Sequence, residues 1–193
     1  LRPVAFKYRS KRESPRWRAT WDWALFVGGI VPSLIFGVAV GNVLQGVPFR
    51  FDGDLQVFYD GTTLFELLNP FALLCGLLSV AMLTMHGAAW LVLKTDGAVA
   101  ARARRWGALA AVATIVLFAL GGLWLWLGVD GYRFTSLVNT AGPSNPLGKT
   151  VEPAAGAWFA NYDSHPWMMA APALGFVGAL GALALTPKPV PEV

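Results

Sequence analysis

The sequence predicts an all-α integral membrane protein with about four transmembrane helices, and three observations carry that expectation. Of the 193 residues 55% are hydrophobic and only 13% are charged, whereas a soluble domain carries roughly a quarter charged residues to face water. The apolar residues lie in four long blocks, at 24–46, 70–93, 107–128 and 166–186, and no Asp, Glu, Lys or Arg interrupts any of them. Lys and Arg are shared unequally between alternate connecting segments, the asymmetry that orients a membrane protein.

The whole chain reads as one membrane region. Residues 1–23 form a basic segment broken by Pro3 and Pro15, which is not the pattern of a signal peptide. The block at 24–46 is long enough at 1.5 Å per residue to cross a hydrocarbon core of roughly 30 Å, and without water to bond its backbone it must be helical. Pro32 should kink it, as a bundle permits. Residues 47–69 form the first connection, made acidic by Asp52, Asp54, Asp60 and Glu66, and read as a solvated loop. Asn69-Pro70 then reads as a helix cap with proline at the first helical position, opening the span at 70–93. A basic loop at 94–106 leads to the span at 107–128. The long loop at 129–165 follows, in which AAGAWFANY at 154–162 has the content of a short interfacial helix. The last span, 166–186, contains Pro172, a second expected kink, and a tail at 187–193 ends the chain. The opening Leu1 and the Pro-rich end suggest part of a longer protein.

Twelve of the 15 Lys and Arg residues fall in 1–23, 94–106 and the tail; only Arg50, Arg133 and Lys149 lie in the other two loops. The first group of segments is therefore expected to be cytoplasmic and the loops at 47–69 and 129–165 to face outward. The tryptophans agree. Trp17, Trp21, Trp23, Trp90 and Trp106 gather at one set of span ends, and Trp124, Trp126, Trp158 and Trp167 at the other, where indole rings favour the headgroup region. The net charge of +4 follows this membrane distribution, so no nucleic-acid partner is expected. Membrane lipid is.

Few side chains suggest chemistry. His86, the histidine inside a span, has a functional reading as haem ligand or proton relay and a plainer one as a neutral imidazole bonded to an adjacent helix. The plainer reading is taken. Met82 lies one turn earlier, on the same helix face, so the two cannot occupy opposite axial positions on one iron. His165 has no second histidine or cysteine near it and reads as a loop residue. Gly37 and Gly41 form a small-xxx-small pair suited to close helix approach, with ordinary bundle packing preferred to a specific dimer. Asn42 and Gln45, three apart, read as interhelical contacts, with a ligand headgroup as the lesser reading. Cys75 is the sole cysteine, which leaves no disulfide framework or thiolate metal site. No nucleophile–base pair, phosphate loop or zinc spacing is present, so no catalytic residue and no metal ligand is assigned.

Seven strings, taken together and in order, resemble subunit II of the cytochrome bd family of quinol oxidases. They are RPVAFKYRSK at 2–11, WRATWDW at 17–23, GNVLQGVPF at 41–49, LLNPFALLCGLLSV at 67–80, GVDGY at 128–132, SNPLGK at 144–149 and GAWFANY at 156–162. The resemblance implies a nine-helix subunit of which this chain is helices four to seven, in a bacterial inner membrane. It implies a respiratory enzyme that reduces O2 to water with electrons from quinol, with haem b and haem d carried by the partner, subunit I. This subunit would bind no haem alone, would stabilise the haem-bearing assembly, and could hold a quinone. The cyanide-insensitive branch is equally compatible. The family's known acidic and histidine positions lie in early helices outside this chain, so none transfers. The rival reading is an unrelated polytopic transporter or scaffold. Against it, no internal repeat and no midplane charge occurs in the four spans.

Overall fold

The computed structural model describes residues 1–61, 63–136, 141–142 and 145–184. Its order is α1 (Arg2–Arg9), α2 (Pro15–Gln45), β1 (Phe49–Phe51), β2 (Val57–Tyr59), α3 (Pro70–Lys94), α4 (Gly97–Gly128), β3 (Gly131–Phe134), β4 (Val151–Ala154), α5 (Ala160–Ser164) and α6 (Ala170–Ala184), with short 3-10 turns at Leu64–Leu67, Pro146–Gly148 and Pro166–Met169. Four helical stretches are long and apolar enough to cross a membrane: Pro15–Gln45, Pro70–Lys94, Gly97–Gly128 and Pro166–Ala184. The last of these counts the 3-10 turn before α6.

Each spanning helix packs chiefly on the next in sequence, α2 on α3, α3 on α4, and α4 on α6. Most buried residues are small: Ala72, Ala81, Ala88, Ala100, Ala103, Ala110, Ala111 and Ala179, joined by Gly37, Gly41 and Gly76, with Val38 and Phe71 the larger apolar ones in the helices. Lipid tails are as apolar as leucine, so helices in a bilayer gain little by burying large apolar side chains. They gain by bringing backbones close, which small residues allow. The large residues turn outward, and only 6–22% of the most apolar stretch of each span is buried within the chain. Aromatic pairs fill the remaining seams, Phe71 with Trp124 at 5.9 Å and Phe118 with Phe176 at 4.9 Å between ring centres.

Several connections differ from the sequence expectation. The loop expected at 94–106 shrinks to Thr95 and Asp96, and α4 begins at Gly97. Residues 97–106 (GAVAARARRW) are mostly Ala and Arg, which are strong helix formers, and Ala100 and Ala103 are buried. In the basic segment at 1–23, α1 folds back along α2 and buries Ala5. Trp17 Nε1 donates to the Tyr8 carbonyl at 2.8 Å, and Arg9 forms a two-point ion pair with Asp22.

The two loops at the opposite end are not plain coil. Each carries an antiparallel hairpin, β1–β2 pairing Arg50 with Phe58 and β3–β4 pairing Arg133 with Glu152. Asp52 Oδ1 closes the first by accepting from the Asp54 and Gln56 amides, and Asp60 pairs with Arg50 at 3.0 Å. Two members of the acidic group therefore shape the hairpin. The interfacial helix expected at 154–162 is also shorter: Ala154 ends β4, Gly156 has φ +70°, and α5 starts only at Ala160. That left-handed glycine cannot lie in a right-handed helix. The end of the expected fourth span and the tail at 187–193 lie outside the described residues.

Candidate functional site

Helices α2 and α3 approach closely. A Cβ built on Gly37 would lie 2.3 Å from the Cys75 carbonyl oxygen and 2.6 Å from Gly76 Cα; one on Gly41 would lie 2.7 Å from Ala72 Cα. Gly76 answers from the other side, its own Cβ position lying 3.0 Å from the Leu34 carbonyl oxygen. Two small-xxx-small rows, Gly37/Gly41 on α2 and Ala72/Gly76 on α3, therefore face one another. The structure brings the predicted glycine pair against a neighbouring helix of the same chain. Ala72 and Gly76 were missed by sequence reasoning, although their spacing of four was visible.

Asn42 is buried one position beyond Gly41. Its Nδ2 donates to the Val38 carbonyl at 2.8 Å and the Leu67 carbonyl at 2.7 Å, and its Oδ1 accepts from Asn69 Nδ2 at 3.3 Å. Asn69 in turn caps α3, its Oδ1 accepting from the Ala72 amide at 2.8 Å. One buried amide thus ties the end of α2 to the turn and cap that start α3. Gln45 differs from Asn42. Its side-chain Oε1 is buried with no donor among the described residues, so it makes no interhelical bond there. The backbone carbonyl is used instead, accepting from Tyr132 Oη at 3.2 Å.

Tyr132 explains the residue beside it. Gly46 has φ +87°, and a Cβ there would lie 2.0 Å from Tyr132 Oη. The left-handed backbone and the tyrosine each demand glycine at that position. Gly131 likewise sits where a Cβ would meet the Trp158 amide nitrogen at 2.8 Å. Three stretches far apart in sequence, around Gln45–Gly46, Gly131–Tyr132 and Ala157–Trp158, meet at the hairpin end.

The model of the cytochrome bd terminal oxidase subunit II family matches residues 1–192. The chain belongs to that family. It is 51% identical over 180 residues to a probable cytochrome oxidase subunit 2 of Haemophilus influenzae, covering 93% of this chain and 47% of that protein. It is 49% identical over 177 residues to cytochrome bd-I ubiquinol oxidase subunit 2 of Escherichia coli K12, covering 92% of this chain and 46% of that protein. A cytochrome bd ubiquinol oxidase subunit 2 of Bacillus subtilis is 29% identical over 104 residues, 54% of this chain and 29% of the relative. The chain spans about half the length of the first two relatives. Its spans and its bacterial relatives make it a multi-pass protein of the bacterial inner membrane.

In this subunit II segment the strings that carried the resemblance become structural. GNVLQGVPF supplies the close contact, the buried amide and the left-handed glycine; LLNPFALLCGLLSV supplies the facing row and the cap. GVDGY and GAWFANY meet at Gly131 and Trp158. Ser144 of SNPLGK lies outside the described residues, whereas Asn145 caps the following turn by accepting from the Leu147 amide at 2.9 Å.

His86 makes no contact of the expected kind among the described residues of this chain. It is exposed on α3 and has no hydrogen-bond partner among the described residues, so it is not tied to an adjacent helix of this chain. The reason is angular. At 100° per residue His86 points about 160° away from Ala88, which is buried. His165 caps the end of α5 and is exposed. Among the described residues, no group of three or more His, Cys, Asp or Glu side chains gathers as a metal site.

Proposed function

We propose that the chain is the packing segment of the non-haem-ligating subunit II of a respiratory quinol oxidase, which reduces O2 to water with electrons from quinol and contributes to proton-motive force. The family match over residues 1–192 carries this reading. The fold supports it: inner faces made of Ala and Gly set the helices, while most of each span's apolar surface is left for lipid or other helices.

Haem b and haem d belong, on this reading, to subunit I, the partner. The donor set here does not fit a haem held within the chain. His86 lies two turns before the Lys94 end of α3, and His165 stands at the opposite, hairpin end, so the pair cannot flank one iron. Met82 shares the His86 side of α3 and cannot supply the opposite ligand. In the full subunit of nine helices, with 1–23 and the Thr95–Asp96 turn cytoplasmic and both hairpins outside, these four helices act as scaffold. A quinone is a further ligand the family reading allows, with no residue of this chain assigned to it.

The test is to delete the full-length gene from its host and complement it. Loss of quinol-driven oxygen uptake and of the haem d absorbance, both restored by the gene, is expected. Unchanged uptake and absorbance in the deletion strain would refute the reading.

A further inference from the structure

A cavity of about 430 Å³ opens at the hairpin end, between the end of α4, strand β3, the β4–α5 turn, α5 and the 3-10 turn that precedes α6. Trp126, Phe159, Tyr162 and Met169 give it aromatic and apolar walls, and Arg133 and Asp163 bring one charge of each sign. Arg133 and Asp163 are both exposed, and neither forms an ion pair among the described residues. The cavity also has a definite depth. Trp126 in its wall, with Trp124, Trp158 and Trp167 nearby in sequence, belongs to the tryptophan group at this end of the spans, and such groups mark the headgroup level of a bilayer.

We propose that this cavity binds the headgroup of a zwitterionic phospholipid of the phosphatidylethanolamine class, whose primary ammonium can donate N–H hydrogen bonds to a carboxylate as a quaternary ammonium cannot. Arg133 takes the phosphate, for which a guanidinium offers paired donors. Asp163 takes the ammonium. The acyl chains leave past Trp126 and Met169 into the bilayer. The opposite charges decide the class. A purely anionic headgroup would satisfy Arg133 but meet the carboxylate of Asp163, and a free inorganic anion would leave the apolar walls unused. Both arguments hold whichever side of the membrane the hairpins occupy.

The test uses the full-length protein in its complex, stripped of lipid and given phosphatidylethanolamine with a photoreactive acyl chain. Crosslinks are expected on the peptides holding Trp126 and Met169, displaced by unlabelled phosphatidylethanolamine and not by phosphatidylglycerol or inorganic phosphate. Arg133→Gln should lower the yield about tenfold, the size of a lost charged hydrogen bond, with Arg133→Lys keeping most of it. Asp163→Asn should weaken phosphatidylethanolamine while improving phosphatidylglycerol, a reversal that misfolding cannot produce. Arg50→Gln, on the other hairpin, should change nothing. Equal displacement by phosphatidylglycerol or phosphate, a headgroup preference unmoved by Asp163→Asn, or an intact complex that never crosslinks at these peptides would overturn the proposal.

Discussion

Asn69 Nδ2 lies 3.3 Å from Asn42 Oδ1, so the residue that caps α3 also completes the bonding of the amide buried at the end of α2. A buried amide with both ends engaged is tolerable in a low-dielectric setting, whereas one left half-bonded is costly. Asn42→Leu should therefore destabilise the full-length protein in detergent by about 1–3 kcal/mol, because it strands the Leu67 carbonyl. Asn69→Ala should cost about 1 kcal/mol through the lost cap. Thermal unfolding of the two variants and of the double variant measures the coupling. A double variant whose loss equals the sum of the singles would show that the two amides act independently.

The α2–α3 contact makes a sharper steric prediction. Gly37→Ala places a methyl against the Cys75 carbonyl and Gly76 Cα, backbone atoms that cannot rotate away. It should cost about 1–3 kcal/mol, the usual range for an overpacked site, with Gly41→Ala similar and Gly37→Leu worse. Gly29→Ala on the same helix, where nothing lies within 4 Å of the new atom, is the control. On the proposed function, assembled, haem-loaded complex should fall in step with stability and with oxidase activity. Normal assembly with absent turnover would place Gly37 in the chemistry instead.

Tyr132 and Gly46 can be separated by size of effect. Tyr132→Phe removes one hydrogen bond to the Gln45 carbonyl, worth about 0.5–1.5 kcal/mol. Gly46→Ala imposes a left-handed alanine as well as a clash with the Tyr132 hydroxyl, and should lose more. Combining Gly46→Ala with Tyr132→Phe should recover part of that loss. No recovery would mean that backbone strain alone makes glycine necessary.

Orientation is testable by impermeant thiol labelling of intact cells, in a background with Cys75→Ser. Asp54→Cys in the first hairpin should label from outside, and Arg105→Cys near the start of α4 only after lysis. Arg105 is exposed while Arg104 is half-buried, which makes 105 the better reporter. Labelling of Arg105→Cys in unbroken cells would reverse the assignment.

His86→Ala should leave the haem spectrum of the purified complex unchanged. A Soret or haem d band lost in that variant, with the complex still assembled, would make His86 a ligand or its direct support.

The four spans were legible in the sequence because a bilayer imposes one rule on every residue within it, apolar side chains on a fully bonded backbone, and that rule needs no partner to be read. The cap at Asn69 was legible for the same kind of reason, since its bond to Ala72 is local. What lies opposite a given face was not. Gly37 and Gly41 announce a close approach, but only the fold sets Cys75 and Gly76 against them. Asn42 and Gln45 look equivalent on the helix, and yet one is fully bonded while the other keeps a buried oxygen without a donor among the described residues. Tyr132 reaches Gln45 across 87 positions of sequence, and Arg133 and Asp163 share a cavity across two hairpin strands and a turn. Membership of the membrane is a property of composition and run length, which each segment carries by itself. Contact is a property of pairs, decided by which small residues let two backbones meet, and that becomes visible only when the helices are set side by side.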